Sequence, residues 1–273
     1  TVLSVMKSTL TFVLLLLIVY LCEAFYLPGV PTKFYKQNSP VYVKTRKLSS
    51  IHNLPYDFYT LKYCQPALIK RMEENLGEYL FGDRIENSVY NFEFLNDVSC
   101  QIIQGDDKNI KCPELTPKDV EEFTTKIDDE YLVQMIVDNL PLANRQNPET
   151  ECGNPPPTKE EIETEAKVSK YARPDGFPIG CRQKTGEEVR DGKKTTTYKY
   201  FINNHITFVI HYHTRQNNQG NVIVGAEVYP TSIQHSDKTC NTKEPFPRTV
   251  QKFELKKDTK KIPFSYSVIW KRS

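Results

Sequence analysis

The chain has 273 residues and a formal net charge of +2, and 26% of its residues are charged. So small a net charge excludes the strongly basic surface that is typical of nucleic-acid-binding proteins, and no nucleic-acid partner is expected. The charged fraction is that of a water-exposed globular protein and excludes a chain made mostly of membrane spans.

The first 24 residues have the parts of a secretory signal peptide. Lys7 precedes an apolar run from Leu10 to Leu21, and small residues, Cys22 and Ala24, follow it. This pattern predicts cleavage after Ala24 and export of residues 25–273 to the lumen of the secretory pathway. The run is shorter than the about 20 apolar residues that a bilayer span requires. An uncleaved signal anchor is the alternative.

The cysteine content fits an oxidising compartment. Without Cys22 an even number of cysteines remains, which favours structural disulfides in an exported chain. They are Cys64, Cys100, Cys112, Cys152, Cys181 and Cys240. The sequence leaves their pairing open, and our working assignment is Cys100–Cys112, Cys152–Cys181 and Cys64–Cys240. The paired C-x-x-C spacing of zinc sites is absent from the sequence, so no cofactor is expected.

Hydrophobic patterns predict a mainly β fold with one or two short helices. Aromatic residues, which favour strands, are frequent, with 16 Tyr and 14 Phe. Val89–Phe94 alternates between apolar and polar residues, as a strand with one buried face does, and Cys100–Ile103 is expected to be its antiparallel partner. Further strands are expected at Val41–Arg46, at Tyr131–Asp138 and in several segments after residue 177. Short strands separated by regularly spaced turns predict an antiparallel β-sandwich.

One helix has a clear start signal. Thr116 is a favoured N-cap, Pro117 suits the first helical position, and an acidic residue follows in the first turn. Val120, Phe123 and Ile127 then lie on one face. This stripe predicts a helix that packs against the core.

Residues 142–176 differ in composition from their surroundings. They are rich in Asn and Pro and then in acidic residues, and a capping-box pattern at Thr158–Glu161 predicts a helix to about Tyr171. We interpret this segment as an insertion or a linker. It would separate two lobes, residues 25–141 and 177–273.

The stretch from Pro55 to Ile85 joins a dense aromatic run to two glycines. Glycine readily adopts a positive φ, so Gly77 and Gly82 predict two bends around the residues between them. Asp83 and Arg84 follow, and charge-assisted hydrogen bonds there would fix the second bend. The stretch is then either an ordered loop with an ion pair or a recognition surface.

Few residues suggest catalysis. His211 and His213 share one face of a predicted strand and could reach one metal ion, with His205 or Glu227 as a third ligand of the kind that catalytic zinc requires. The sequence lacks the serine-nucleophile elbow, the H-E-x-x-H pair and the G-x-x-x-x-G-K phosphate loop. No catalytic residue is therefore predicted.

A set of segments occurs in the order seen in one membrane-protein family. They are AFYLPGV, LPYDFYTLKYCQP, ENLGEYLFGDRIENS, DDEYLVQMIVDNLP, DGFPIGC, NNHITFVIHYH, VYPTSIQH and IPFSYSVIWK. Together they resemble the amino-terminal lumenal domain of the nonaspanins, the transmembrane-nine superfamily, from about Ala24 to Lys271. The family signature in this chain comprises Asn75, Leu76, Gly77, Gly82, Asp83 and Arg84.

The resemblance implies a role in trafficking. Nonaspanins have a signal peptide, this lumenal domain and then nine membrane helices, which would make the present chain one truncated before its membrane region. They belong to endosomal and Golgi membranes and are linked to sorting and surface delivery of other membrane proteins. The resemblance therefore implies a non-catalytic lumenal domain whose partners are membrane-protein clients.

The sequence is also compatible with two alternative functions. One is a secreted, disulfide-stapled binding module for glycans or lipids, in which an aromatic surface would recognise the ligand. The other is a metal-dependent enzyme that uses His211 and His213.

Overall fold

The computed structural model describes residues 33–72, 76–80, 82–105, 108–144, 176–190, 193–215, 220–236, 239–242, 244–247 and 250–273. Three predictions fall outside these residues: the signal peptide at residues 1–24, the disulfide cysteine Cys152, and the helix that begins at Thr158. Among the described residues, no helix has both the length and the apolar character that a membrane crossing requires.

Strands dominate the described residues, which confirms the prediction of a mainly β fold. The strands are β1 (Pro40–Ser49), β2 (Gln65–Pro66), β3 (Glu86–Glu93), β4 (Val98–Ile102), β5 (Ile110–Lys111), β6 (Leu132–Val137), β7 (Leu140–Pro141), β8 (Ala143–Asn144), β9 (Phe177–Pro178), β10 (Gly180–Arg190), β11 (Lys193–Ile202), β12 (His205–Thr214), β13 (Asn221–Thr231), β14 (Glu254–Leu255) and β15 (Ser265–Arg272). The helices are a 3₁₀ turn (Phe58–Thr60), α1 (Leu76–Leu80) and α2 (Pro117–Asp128).

Two larger sheets form the body of the fold. The first has the order β3–β1–β6–β7, with β9 also paired to β6, and the second has the order β4–β15–β12–β13–β8. Strands β10, β11 and β14 form a third sheet, and β2 pairs with β5. The second sheet is mixed, because β12–β15 and β13–β8 are parallel pairs. The antiparallel prediction is wrong there: the long connection between β13 and β15 allows a parallel return, which a tight hairpin does not.

An aromatic layer joins the two larger sheets. The ring centroids of Tyr90 and Phe92 on β3 lie 5.6 Å and 5.7 Å from that of Phe208 on β12. Phe94 lies 4.6 Å from Trp270 on β15 in the same way. Tilted and edge-to-face contacts of this kind add stability beyond the burial of apolar area. The core of the sandwich therefore lies between β3 and the β12–β15 pair.

Strand β4 does not pair with β3 as the sequence predicted. It pairs with β15, with Ile102 opposite Ser265, whereas β3 pairs with β1. Leu95 follows β3 with a positive φ of 62°, and the chain turns there into the second sheet. Strands that are consecutive in the chain usually pair but need not, and here the connection crosses between sheets.

Helix α2 begins as predicted. The Thr116 side chain accepts a hydrogen bond from the backbone of Asp119, and the Asp119 carboxylate accepts one from the Thr116 backbone. Val120, Phe123 and Ile127 are buried against the core. The capping pattern and the apolar stripe were sufficient to predict this helix.

The disulfides differ from the working assignment. The structure joins Cys64 to Cys112 and Cys100 to Cys240, so the pairs Cys100–Cys112 and Cys64–Cys240 are wrong. The register of β2 and β5 sets Gln65 opposite Lys111, which makes Cys64 and Cys112 the next cross-strand pair. Cys181 is also disulfide-bonded, while its predicted partner Cys152 lies outside the described residues.

The buried core combines residues from both proposed lobes. Val43 and Phe123 from the first belong to the same apolar cluster as Phe208 and Val268 from the second. The lobe boundaries themselves stay a prediction.

Replacing Phe208 by Ala should lower the free energy of unfolding by about 3–5 kcal/mol, because it leaves a cavity in the aromatic layer. Val224→Ala on β13 is the control, since this side chain is 47% exposed and its loss should cost less than about 1 kcal/mol. Urea denaturation of the purified chain measures both. Equal losses would show that the layer does not hold the sheets together.

Candidate functional site

Strand β12 is covered on both faces. Phe208 and Ile210 point into the aromatic core, and because side chains alternate along a strand, His205 and Thr207 point to the opposite face. Both are fully buried. We call the described residues of 232–247 the covering segment, since they include Pro245, whose carbonyl accepts a hydrogen bond from Thr207 Oγ1. Polar groups on this face are thereby removed from water and need partners within the protein.

A chain of hydrogen bonds supplies these partners. Ser265 Oγ lies 2.8 Å from His205 Nδ1 and 2.7 Å from His235 Nε2. His205 Nε2 lies 3.2 Å from Ser267 Oγ and 3.4 Å from Thr207 Oγ1. We call these five side chains the histidine cluster.

The direction of each hydrogen bond follows from the groups at the two ends of this series of hydrogen bonds. The hydroxyls of Ser267 and Thr207 donate to the carbonyls of Ser99 and Pro245, so both oxygens accept from His205 Nε2–H. The backbone N–H of Asn241 donates to His235 Nδ1, which leaves the proton of His235 on Nε2.

Ser265 then connects the two imidazoles. It accepts from His235 Nε2–H and donates to His205 Nδ1, so every nitrogen of the pair has a partner while both rings are neutral. Burial, together with the smaller effect of the neighbouring His235, lowers the pKa of His205 to about 3. Burial also lowers the pKa of His235 to about 4. Neutral rings are therefore the stable form across the physiological pH range.

Asn204 fastens the covering segment beside the histidine cluster. Its side-chain amide donates to the carbonyls of Ile233 and Pro263, and its side-chain oxygen accepts from the Ile233 N–H. Asn204 is fully buried, so these bonds are shielded from water. No local sequence pattern marked Asn204, His235 or Ser265, since they lie far apart in the chain and only the fold joins them.

The Cys100–Cys240 disulfide lies next to the histidine cluster. Cys100 Sγ and one nitrogen from each of His205 and His235 all lie within 4.8 Å of one another. Among the described residues this is the group of three that could hold a metal ion. In the oxidised protein the sulfur of Cys100 is bound to Cys240, so it is not a thiolate ligand.

The histidines singled out in the sequence lie elsewhere on β12. His211 Nε2 is 2.8 Å from Glu227 Oε1, and Tyr229 donates to the other oxygen of Glu227. His213 is exposed, and its Nδ1 lies 3.4 Å from the Ser273 carbonyl. The structure thus brings His211 to Glu227. In the described part of the chain, no third potential ligand joins them.

The described residues of the family signature lie in α1 and in the loop after it, and this loop is attached to β1. Gly82 has the expected positive φ of 69°, whereas Gly77 lies within α1 and makes no bend. Asp83 does not act with Arg84 on its own turn: it accepts hydrogen bonds from Arg46 Nε at 2.7 Å and Lys47 Nζ at 2.6 Å. Sequence alone could not predict these partners, which come from a distant strand.

The environment of Asp83 favours its ionised form. Burial raises the pKa of this carboxyl, but hydrogen bonds from Lys47 and Arg46 outweigh burial and keep the pKa below its usual range. Arg84 instead pairs with Asp57 at 3.0 Å, and both side chains are more than half exposed. In the same signature, Asn75 and the side chain of Leu76 lie outside the described residues.

Comparison with known proteins identifies the family. The model of the endomembrane protein 70 family matches residues 55–273. The chain belongs to this family. Transmembrane 9 superfamily member 9 of Arabidopsis thaliana is 34% identical over 96% of the chain, and human transmembrane 9 superfamily member 4 is 30% identical over 95%. The resemblance to the transmembrane-nine superfamily is thereby confirmed.

A third relative extends the comparison beyond plants and animals. Putative phagocytic receptor 1a of Dictyostelium discoideum is 31% identical over 77% of the chain. The chain spans 38% of the Arabidopsis relative and 39% of the human one. Comparison with solved structures gave no match.

Replacing Asp83 by Asn should destabilise this endomembrane protein 70 domain by about 2 kcal/mol, because hydrogen bonds to a charged group are lost. The control is Asp57→Asn, which breaks an exposed pair and should cost less than about 1 kcal/mol. Chemical denaturation at neutral pH measures both. Equal effects would contradict a structural role for the Asp83 contacts.

Acid should destabilise the domain through the histidine cluster. Unfolded histidine binds a proton below about pH 6.5, whereas folded His235 does so only near pH 4. The unfolded state therefore binds more protons as pH falls through this window, and the free energy of unfolding decreases. The loss should be about 2 kcal/mol per buried histidine at pH 5.

The variant His235→Gln isolates this effect. It removes one titrating group, so its free energy of unfolding should depend less steeply on pH between 6.5 and 4. His52→Gln is the control, because the side chain of His52 is 62% exposed, and it should keep the wild-type slope. Identical slopes for all three proteins would refute the assignment.

Proposed function

We propose that this chain is the lumenal domain of a transmembrane 9 protein of endosomal or Golgi membranes, and that it takes part in sorting membrane proteins and delivering them to the cell surface. The observation that carries the proposal is the match to transmembrane 9 proteins over nearly the whole chain. The name of the Dictyostelium relative, a putative phagocytic receptor, supports a role connected with surface proteins.

The surroundings of the histidines support a binding function and not a catalytic one. A general base or nucleophile must reach its substrate, but His205 and His235 are buried and their nitrogens are hydrogen-bonded within the protein. His211 is engaged by Glu227. These histidines are therefore assigned structural roles in the proposed function.

Exposed apolar side chains supply a surface for client proteins. Leu80 lies between Gly77 and Gly82 of the family signature and is 74% exposed, and Leu68 is 65% exposed. Asp83 accepts a hydrogen bond from Lys47 and so attaches the loop after α1 to strand β1. Exposed apolar groups suit contact with another protein better than contact with a small polar ligand.

The test is depletion of the protein from cells, followed by labelling and quantification of the surface proteome. A defined subset of membrane proteins should decrease at the surface several-fold, and the full-length wild-type protein should restore them. Soluble secreted cargo is the internal control and should be unchanged. An unaltered surface proteome, or an equal loss of soluble cargo, would contradict the proposal.

A surface variant tests the proposed contact with clients. Full-length protein with Leu80→Ser should restore surface delivery poorly, because it removes apolar contact without disturbing the core. Val224→Ser, at another exposed position, should restore it fully. Equal rescue by the two variants would contradict the client surface while leaving the trafficking role intact.

A further inference from the structure

Four side chains with metal-binding atoms converge at the histidine cluster. His205, His235 and Cys100 lie within 4.8 Å of one another by their ligand atoms, and the disulfide places Cys240 Sγ beside Cys100 Sγ. Two sulfurs and two imidazoles are the ligand set of a closed structural zinc site. In the oxidised protein the sulfurs are bonded to each other and cannot serve as thiolates.

The required movements are small. Tetrahedral zinc with Zn–S of about 2.3 Å and Zn–N of about 2.0 Å sets ligand atoms about 3.3–3.8 Å apart. The ligand atoms of Cys100, His205 and His235, which lie up to 4.8 Å apart, need to approach one another by roughly 1 Å, and the two sulfurs, which are bonded in the disulfide, need to separate to about 3.8 Å. Cys240 and His235 lie in the covering segment outside the regular strands, so they can move towards Cys100 and His205 without breaking a sheet.

The histidines already meet the chemical needs of metal ligands. Ligating imidazole must be neutral, and the hydrogen-bond pattern of the histidine cluster is that of two neutral rings. A metal-bound histidine also donates its other N–H to an acceptor that orients the ring. His205 Nε2–H has such acceptors in Ser267 and Thr207, which leaves Nδ1 to face the metal.

His235 becomes free to ligate when the disulfide opens. Its Nδ1 now accepts a hydrogen bond from the N–H of Asn241. If Nε2 were to bind a metal, Nδ1 would have to carry the proton of the neutral ring instead. Asn241 adjoins Cys240, so separation of Cys240 from Cys100 would let the Asn241 N–H move away from His235 Nδ1, while the Asn241 side chain can keep its hydrogen bond to the Gln234 carbonyl. The hydroxyl of Ser265 would then leave its position between the two rings.

We propose that reduction of the Cys100–Cys240 disulfide converts the histidine cluster into a zinc site with Cys100, Cys240, His205 and His235 as ligands. A dithiol reductant supplies two electrons and two protons, the S–S bond breaks, and the reductant becomes a disulfide. Zinc then displaces the two thiol protons and forms two Zn–S and two Zn–N bonds. Two thiolates neutralise the charge of Zn²⁺, so the buried site carries no net charge.

The test uses the purified chain, oxidised or fully reduced with a phosphine under anaerobic conditions. After incubation with zinc and desalting, the reduced chain should retain one zinc ion and the oxidised chain none. With Co²⁺ in place of zinc, the reduced chain should show the intense visible bands of a tetrahedral site with sulfur and nitrogen ligands. The cobalt spectrum reports the ligand set in the wild-type protein, so the outcome does not depend on whether a variant folds.

Variants identify the ligands. His235→Gln and Cys240→Ser should lose the retained zinc, as measured on chains whose circular dichroism shows the native fold. The control is the double variant Cys64→Ser/Cys112→Ser, which removes the other described disulfide and should still bind zinc after reduction. Absence of zinc from the reduced wild type, undiminished retention by His235→Gln, or loss in the Cys64/Cys112 control would overturn the proposal.

Discussion

The structure depends on burial of β12 on both faces. On one face Phe208 packs among the aromatic rings of β3 and β15, a contact that needs only apolar area. The other face carries His205 and Thr207, so it can be buried only if each polar atom has a partner inside the protein. Ser265, from the neighbouring strand, and the covering segment provide those partners. This requirement fixes the position of the covering segment.

The need to give every buried polar atom a partner also explains why the domain has a stable core and an unreactive surface. Buried polar networks specify one arrangement when every member is satisfied, and the histidine cluster satisfies both imidazoles. The family signature is fixed in another way, since Asp83 binds two cations of β1. Both devices position surfaces without placing a reactive group in solvent, which suits a domain whose proposed work is to bind other proteins.

Local patterns in the sequence predicted local structure well. The N-cap at Thr116 and the stripe of Val120, Phe123 and Ile127 gave helix α2, and alternation gave β3. Long-range partners were another matter: Cys100 was paired with nearby Cys112, but the fold joins it to Cys240. His211 and His213 were candidate metal ligands because they are close in sequence. His235 and Ser265, in contrast, meet His205 only through strand pairing and the return of the covering segment.

The most direct measurement of the central claim is the tautomeric state of the two buried histidines, read from long-range ¹H–¹⁵N NMR correlations in the oxidised protein. The hydrogen-bond chain predicts that His205 and His235 are both neutral, with the proton on Nε2, at pH 7 and still at pH 5. A protonated imidazolium at either position at pH 5, or an Nδ1–H tautomer, would contradict the assigned hydrogen bonds and the explanation of how β12 is buried.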